Sequence, residues 1–159
     1  MATTYAIRPI APVKRLDGYT FVNLPIASGE TFLEGALVLR DADGNAAEVG
    51  ADPALIAGIA LHSVADANPA DTFGTVVARV PIATADQEFR GTLEGTYAAA
   101  DLGGDFGVVL DATGYWTIDR SDTTNTRVRI VGVEDGVAVG DINVPVRFVF
   151  LPANRQVIS

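Results

Sequence analysis

"LRDADGNAAEVG", residues 39–50, gathers Asp41, Asp43 and Asn45 around Gly44, a density of oxygen atoms that invites comparison with a calcium loop. A loop of the EF-hand type needs oxygen ligands at its positions 1, 3 and 5, glycine at 6 and a bidentate glutamate at 12. Counted from Asp41, Gly44 falls at position 4, Ala46 stands at 6 and Asp52 at 12, so the spacing fails twice. Asp43-Gly44 between two alternating apolar runs is instead a hairpin signal, because glycine supplies the left-handed backbone conformation that a tight turn requires. The stretch is a turn, and a turn here makes its flanks strands.

The same grammar extends in both directions. "YTFVNLPI" from Tyr19 alternates, "SGE" turns and "GALVLR" runs as a strand. Further strands are expected at "TVVARVPI", "FGVVLD", "GYWTIDR", "TRVRIVGV" and "VPVRFVFL", separated by "DATG", "SDTTN" and "DGVAVGD". Short strands at regular spacing with turn signals between them predict an all-β sandwich or barrel-like domain. Asp52 and Pro53 read as an N-cap and first helical residue, giving one helical turn before a strand at Gly58. Phe89, Leu93 and Tyr97 have helical spacing, but Gly91 and Gly95 interrupt it at about 1 kcal/mol each, so the segment is expected to be irregular or extended. Residues 1–16 contain Pro9 and Pro12, which push their neighbours toward extended conformations and predict an extended N-terminal arm. The remaining β-rich body, 17–159, is read as one unit or as two small β units, 17–85 and 86–159. "GALVLRDADGN…IAGIALHSV…TVVARV" and "FGVVLDATGYW…RIVGVEDGV…VPVRFV" follow the same order. Either a duplication or two meanders obeying the same turn rules would produce that echo.

A chain of 159 residues can bury roughly 68–70% of its unfolded surface and needs no staple. It has no cysteine, which excludes disulfides, thiolate metal sites and a cysteine nucleophile. The net charge of −9 is the wrong sign for nucleic acid, whose phosphates call for a basic footprint. The charge is uneven: Arg8, Lys14 and Arg15 fall in the arm, which has no acid, so the rest of the chain carries −12. The first residues lack the apolar core of a signal peptide, and the longest apolar run, 54–61, is far short of the ~20 residues of a membrane helix. A protein made in the cytoplasm and not bound to a membrane is expected.

Enzyme signatures are missing. His62, the only histidine, lies in an apolar strand and is assigned no role. The glycines of "LGGDFG", 102–107, precede a strand and so lack the helix N-terminus of a phosphate cradle. Asp86/Glu88, Asp101/Asp105 and Asp119/Asp122 could each form a carboxylate pair, but in so acidic a chain such pairs arise by chance. No catalytic residue, cofactor or metal is therefore expected.

"SGETFLEGALVLRDADGNAAEV…ALIAGIALHS" resembles the β-rich module of tailed-phage capsid decoration, or cement, proteins. "FRGTLEGTYAAADLGGDFGVVLDATGYWTIDRSDTTNTRVRIVGVED…VGDINVPVRFVFL" is similar to the later part of small structural proteins encoded beside phage capsid genes. Together these cover residues 28–151. The resemblance implies a structural virion protein on the capsid's outer surface, partnered by the major capsid protein, often trimeric, and attached in part through an N-terminal arm. On that reading Tyr5, Ile7, Arg8, Ile10, Val13, Lys14 and Arg15 form the capsid or subunit interface. The arm's apolar residues would need an external partner, and its cations would meet acidic groups. The alternative is a carbohydrate- or ligand-binding β-module of a phage fibre, with Trp116 as its stacking residue, although tryptophan at a strand start is more often core.

Overall fold

The computed structural model describes residues 1–13, 21–61, 63, 77–81 and 87–156. The chain is nearly all β. Its strands are β1 (Ala11–Pro12), β2 (Phe21–Pro25), β3 (Leu37–Arg40), β4 (Ala46–Glu48), β5 (Gly58–Ile59) and β6 (Val77–Pro81), followed by β7 (Phe89–Thr96), β8 (Asp105–Leu110), β9 (Trp116–Asp119), β10 (Val128–Val133) and β11 (Ile142–Phe150). Two 3-10 turns, Ala99–Asp101 and Pro152–Asn154, are the only helical pieces among the described residues. The expected helical turn at Asp52–Pro53 does not form. Asp52 takes φ of +50°, outside the geometry of a helix cap, and Ile56 is drawn into a parallel bridge with Arg155.

Strands β7, β11, β10, β8 and β9 close into a five-stranded barrel, sealed by a parallel pairing of Leu93 with Ile118. The segment with helical spacing thus becomes β7, the strand on which the barrel closes. Phe89 and Leu93 face inward, and Gly91 leaves room: a Cβ there would lie 2.9 Å from the Phe148 ring and 3.4 Å from Ile10 Cγ1. In β11, Val144, Val146, Phe148 and Phe150 alternate inward and are fully buried. Phe89, Phe148 and Phe150 pack with ring centroids 5.0–5.9 Å apart, two of the three contacts edge-on, the geometry aromatic quadrupoles favour.

The hairpin at Asp41 recurs at Asp111. In each, the aspartate Oδ1 accepts the N–H groups two and four residues on (3.0 and 2.7 Å at Asp41, 2.9 and 3.0 Å at Asp111). Each glycine N–H closes the turn onto the aspartate carbonyl at 3.1 Å, with φ of +89° at Gly44 and +85° at Gly114. Arg40 faces Ala46 as Leu110 faces Trp116. On its other side each first hairpin strand pairs antiparallel with a later strand, two residues out of step: Val38, three before Asp41, pairs with Gly58, and Phe106, five before Asp111, pairs with Val128. Turn rules account for the hairpins, but the likeness goes further: β2 pairs antiparallel with β6 as β7 does with β11, and Ile26 bridges Ala46 in parallel as Leu93 does Ile118. The difference lies in closure, since β10 and β11 form a long ladder that β5 and β6 lack among the described residues.

Candidate interaction surface

The arm lies along the body. Thr4 bridges Ile142, Tyr5 N–H donates to the Ile142 carbonyl at 2.9 Å, and β1 pairs antiparallel with β7 through Ala11–Arg90 and Pro12–Phe89. Ile10 is only 1% exposed. This corrects the expectation that its apolar side chain needs an outside partner: the chain's own core takes it. Gly35 permits the close passage, since a Cβ there would stand 2.6 Å from Ile10 N. Tyr5 packs partly against the core, and its hydroxyl donates to Asp141 Oδ2 at 3.4 Å. Ile7 and Val13 are half-buried, whereas Arg8 is exposed, its backbone N–H donating to Thr92 Oγ1 at 3.3 Å. Lys14, Arg15 and His62 lie outside the described residues.

Several carboxylates hold backbone N–H groups or arginines. Asp141 accepts N–H bonds from Thr3 at 2.7 Å and Ala138 at 2.9 Å, which hold its pKa below the ordinary carboxylate value. Asp122 is held low mainly by the N–H groups of Asn125 and Thr124. At Asp111 burial pushes the pKa up, but bonds from Thr113, Tyr115 and Gly114 outweigh it and leave the group lowered. Asp119 accepts from Ser121, and the buried Asp101 accepts the Ala98 N–H and the Arg120 guanidinium, both at 2.7 Å. Asp105 is lowered chiefly by its hydrogen bonds with Arg129. The members of these pairs are engaged elsewhere: Asp101 and Asp105 bind different arginines, and Asp119 and Asp122 accept the N–H groups of successive turns. Asp86 lies outside the described residues. Among the described residues no three Asp, Glu or His side chains converge on a point that could hold a metal ion.

Among the described residues two depressions stand out on the surface. A cleft of ≈ 610 Å³ runs between the β4–β5 loop and the β8–β9 hairpin, lined by Glu30, Glu48, Asp52, Asp119 and Asp122 beside Trp116. Trp116 is 3% exposed and its indole N–H donates to Glu48 Oε1 at 2.8 Å, so its faces are not open for stacking on a sugar. A second groove, ≈ 400 Å³, lies beside the arm and includes Tyr5, Arg8, Arg90 and Glu134. On the outer face of β7, β11 and β10 stand Arg90, Arg147 and Arg129, paired with Glu134, Glu88 and Asp105 respectively. Sequence reading did not single these arginines out. The alternation "VPVRFVF" does place Arg147 opposite the inward Val146 and Phe148, but its neighbours on other strands depend on register.

No protein-family model matches the chain, and no curated protein matches it at significant similarity.

Proposed function

We propose that this chain is a structural virion protein that binds the outer surface of a phage capsid and stabilises the shell, acting by contact and not by catalysis. The observation that supports this reading best is the use of the carboxylates. Asp101, Asp105, Asp111, Asp119, Asp122 and Asp141 each fix a turn, cap a 3-10 segment or pair with an arginine. A rigid barrel with immobilised loops suits a protein whose work is adhesion, because preorganised surfaces lose less freedom on binding. The resemblance of residues 28–151 to capsid decoration proteins supplies the partner, the major capsid protein, and a homo-oligomer, with a trimer favoured. The protein would be made in the host cytoplasm and reside on the virion.

The test is co-sedimentation of the purified chain with shells assembled from the major capsid protein of the same genome, followed by heating of decorated and bare shells. Saturable binding and a raised disruption temperature are expected. Failure to sediment with expanded, mature shells would overturn the reading.

A further inference from the structure

We propose that the outer face of β7, β11 and β10 is a docking surface for an acidic protein surface, read by the guanidinium groups of Arg90 and Arg147. Arg90 and Arg147 are direct cross-strand partners in the antiparallel β7–β11 ladder. Like charges placed opposite one another destabilise a sheet, a cost that Glu134 and Glu88 offset here through one contact each. The first set of strands avoids the arrangement. There the residue three before the parallel bridge, as Arg90 is three before Leu93, is Asn23, and its partner is Arg79.

The surroundings favour Arg147 further. β10 shifts register between Ile130 and Gly132, and a bulge of this kind re-aims side chains. Gly132 faces Arg147, and a Cβ there would stand 2.5 Å from Arg147 Nη2. The glycine, a weak strand residue, lets the guanidinium lie flat across β10. Val131 is 38% exposed beside it, an apolar contact next to the charge.

The internal partners leave capacity for an external one. Arg129 is clamped on both edges by Asp105, at 2.7 and 2.8 Å. By contrast Arg147 donates through Nη1 to Glu88 at 3.0 Å, and Arg90 meets Glu134 through Nε alone. Their side chains are 43% and 59% exposed, and the remaining N–H groups have no other partner among the described residues. The three arginines nearly offset Glu88, Glu94, Asp105 and Glu134, so this face is close to neutral on a chain of net charge −9. An acidic partner meets little net repulsion here, and planar guanidinium forks suit incoming carboxylates.

The chemistry stands on these residues, and only the identity of the partner as the shell rests on the function proposed above. The first experiment titrates the ¹⁵N-labelled full chain with a deca-glutamate peptide at low salt, with a deca-lysine peptide in parallel. Shifts should concentrate at Arg90, Arg129, Val131, Gly132 and Arg147 with the acidic peptide and vanish as salt rises. Absence of shifts, or shifts centred elsewhere, for example around Arg8, would overturn the proposal. The second compares wild type with R90E/R147E, shown by melting to be folded, in shell co-sedimentation. At least tenfold weaker binding is expected. Equal binding, or loss of the homo-oligomer in place of shell binding, would overturn it. If wild type itself does not sediment, the shell reading fails and the peptide map alone decides whether this face recognises carboxylates.

Discussion

Replacing Ile10 with alanine tests whether the N-terminal segment is part of the fold or an arm awaiting a partner. Ile10 is 1% exposed, its Cγ1 beside Gly91 on β7 and its backbone against Gly35. The substitution removes three carbons, about 2.4 kcal/mol of transfer free energy at about 0.8 kcal/mol each. Part of the vacated volume persists as a cavity, because the backbone on either side is fixed by strand pairing; Ile→Ala in packed cores costs roughly 2–5 kcal/mol in all. A loss of about 3 kcal/mol in a chain of this size lowers Tm by roughly 6–12 °C. Differential scanning calorimetry at neutral pH reads the shift directly. Ile7→Ala, at a half-buried position on the same segment, should cost less than half as much. A freely solvated arm makes the opposite forecast: both variants melt with wild type. A shift under about 2 °C for Ile10→Ala would refute the docking of the segment and restore Ile10 as a contact for another molecule.

Removing the aspartate of either hairpin, Asp41→Ala or Asp111→Ala, strands two backbone N–H groups and should cost about 1–2 kcal/mol by urea denaturation, similarly at both sites. Acid should destabilise the protein through Asp105, Asp111, Asp122 and Asp141, whose folded pKa values lie below their unfolded ones. Their contribution is complete above the unfolded value of about 3.9 and is lost as pH falls through the folded values, so Tm should decline below about pH 4. Asp141→Asn should flatten that decline; an unchanged acid limb would contradict the role given to its bonds with Thr3 and Ala138. Melting in chelator and in excess calcium should give one midpoint, and a rise of several degrees with calcium would show that the Asp41 loop had been misread.

What was legible in the sequence was local. The Asp-x-x-Gly turns at Asp41 and Asp111 declare themselves because their bonds run only a few residues along the chain. The alternation of β11 likewise reports which side chains turn inward. Closure was not legible. Leu93 pairs with Ile118 in parallel across a hairpin, and nothing in "FRGTLEG", read as irregular or extended, marks it as the strand on which a barrel closes. The burial of Ile10 depends on Gly35 and Gly91, two glycines remote in sequence whose missing side chains form its seat. Asp52 and Pro53 carry the residue types of a helix start, but tertiary contacts prevail: the Arg127 guanidinium binds the carbonyls of both residues and holds the loop open. For Trp116 the ordinary expectation of a core residue described the observed position, with the polar end satisfied by Glu48.

The chain ends explain why two sets of similar strands make one body. The N-terminal segment does not cover the strands that follow it immediately; it crosses to β7 and β11. The C-terminal segment makes the reverse crossing. Arg155 bridges Ile56, Asn154 donates to the Ala54 carbonyl at 3.1 Å, and Gln156 both accepts from Arg40 N–H at 2.6 Å and donates to its carbonyl at 2.7 Å. Each end thus satisfies backbone groups of the more distant set, and one hydrophobic cluster draws on both, from Leu37 and Ile56 to Phe89 and Phe148. Opening either set frays the segment that covers it and uncovers core shared with the other. That coupling favours a single cooperative transition, and it holds β7, β11 and β10, the strands that carry Arg90, Arg147 and Arg129, in one rigid frame.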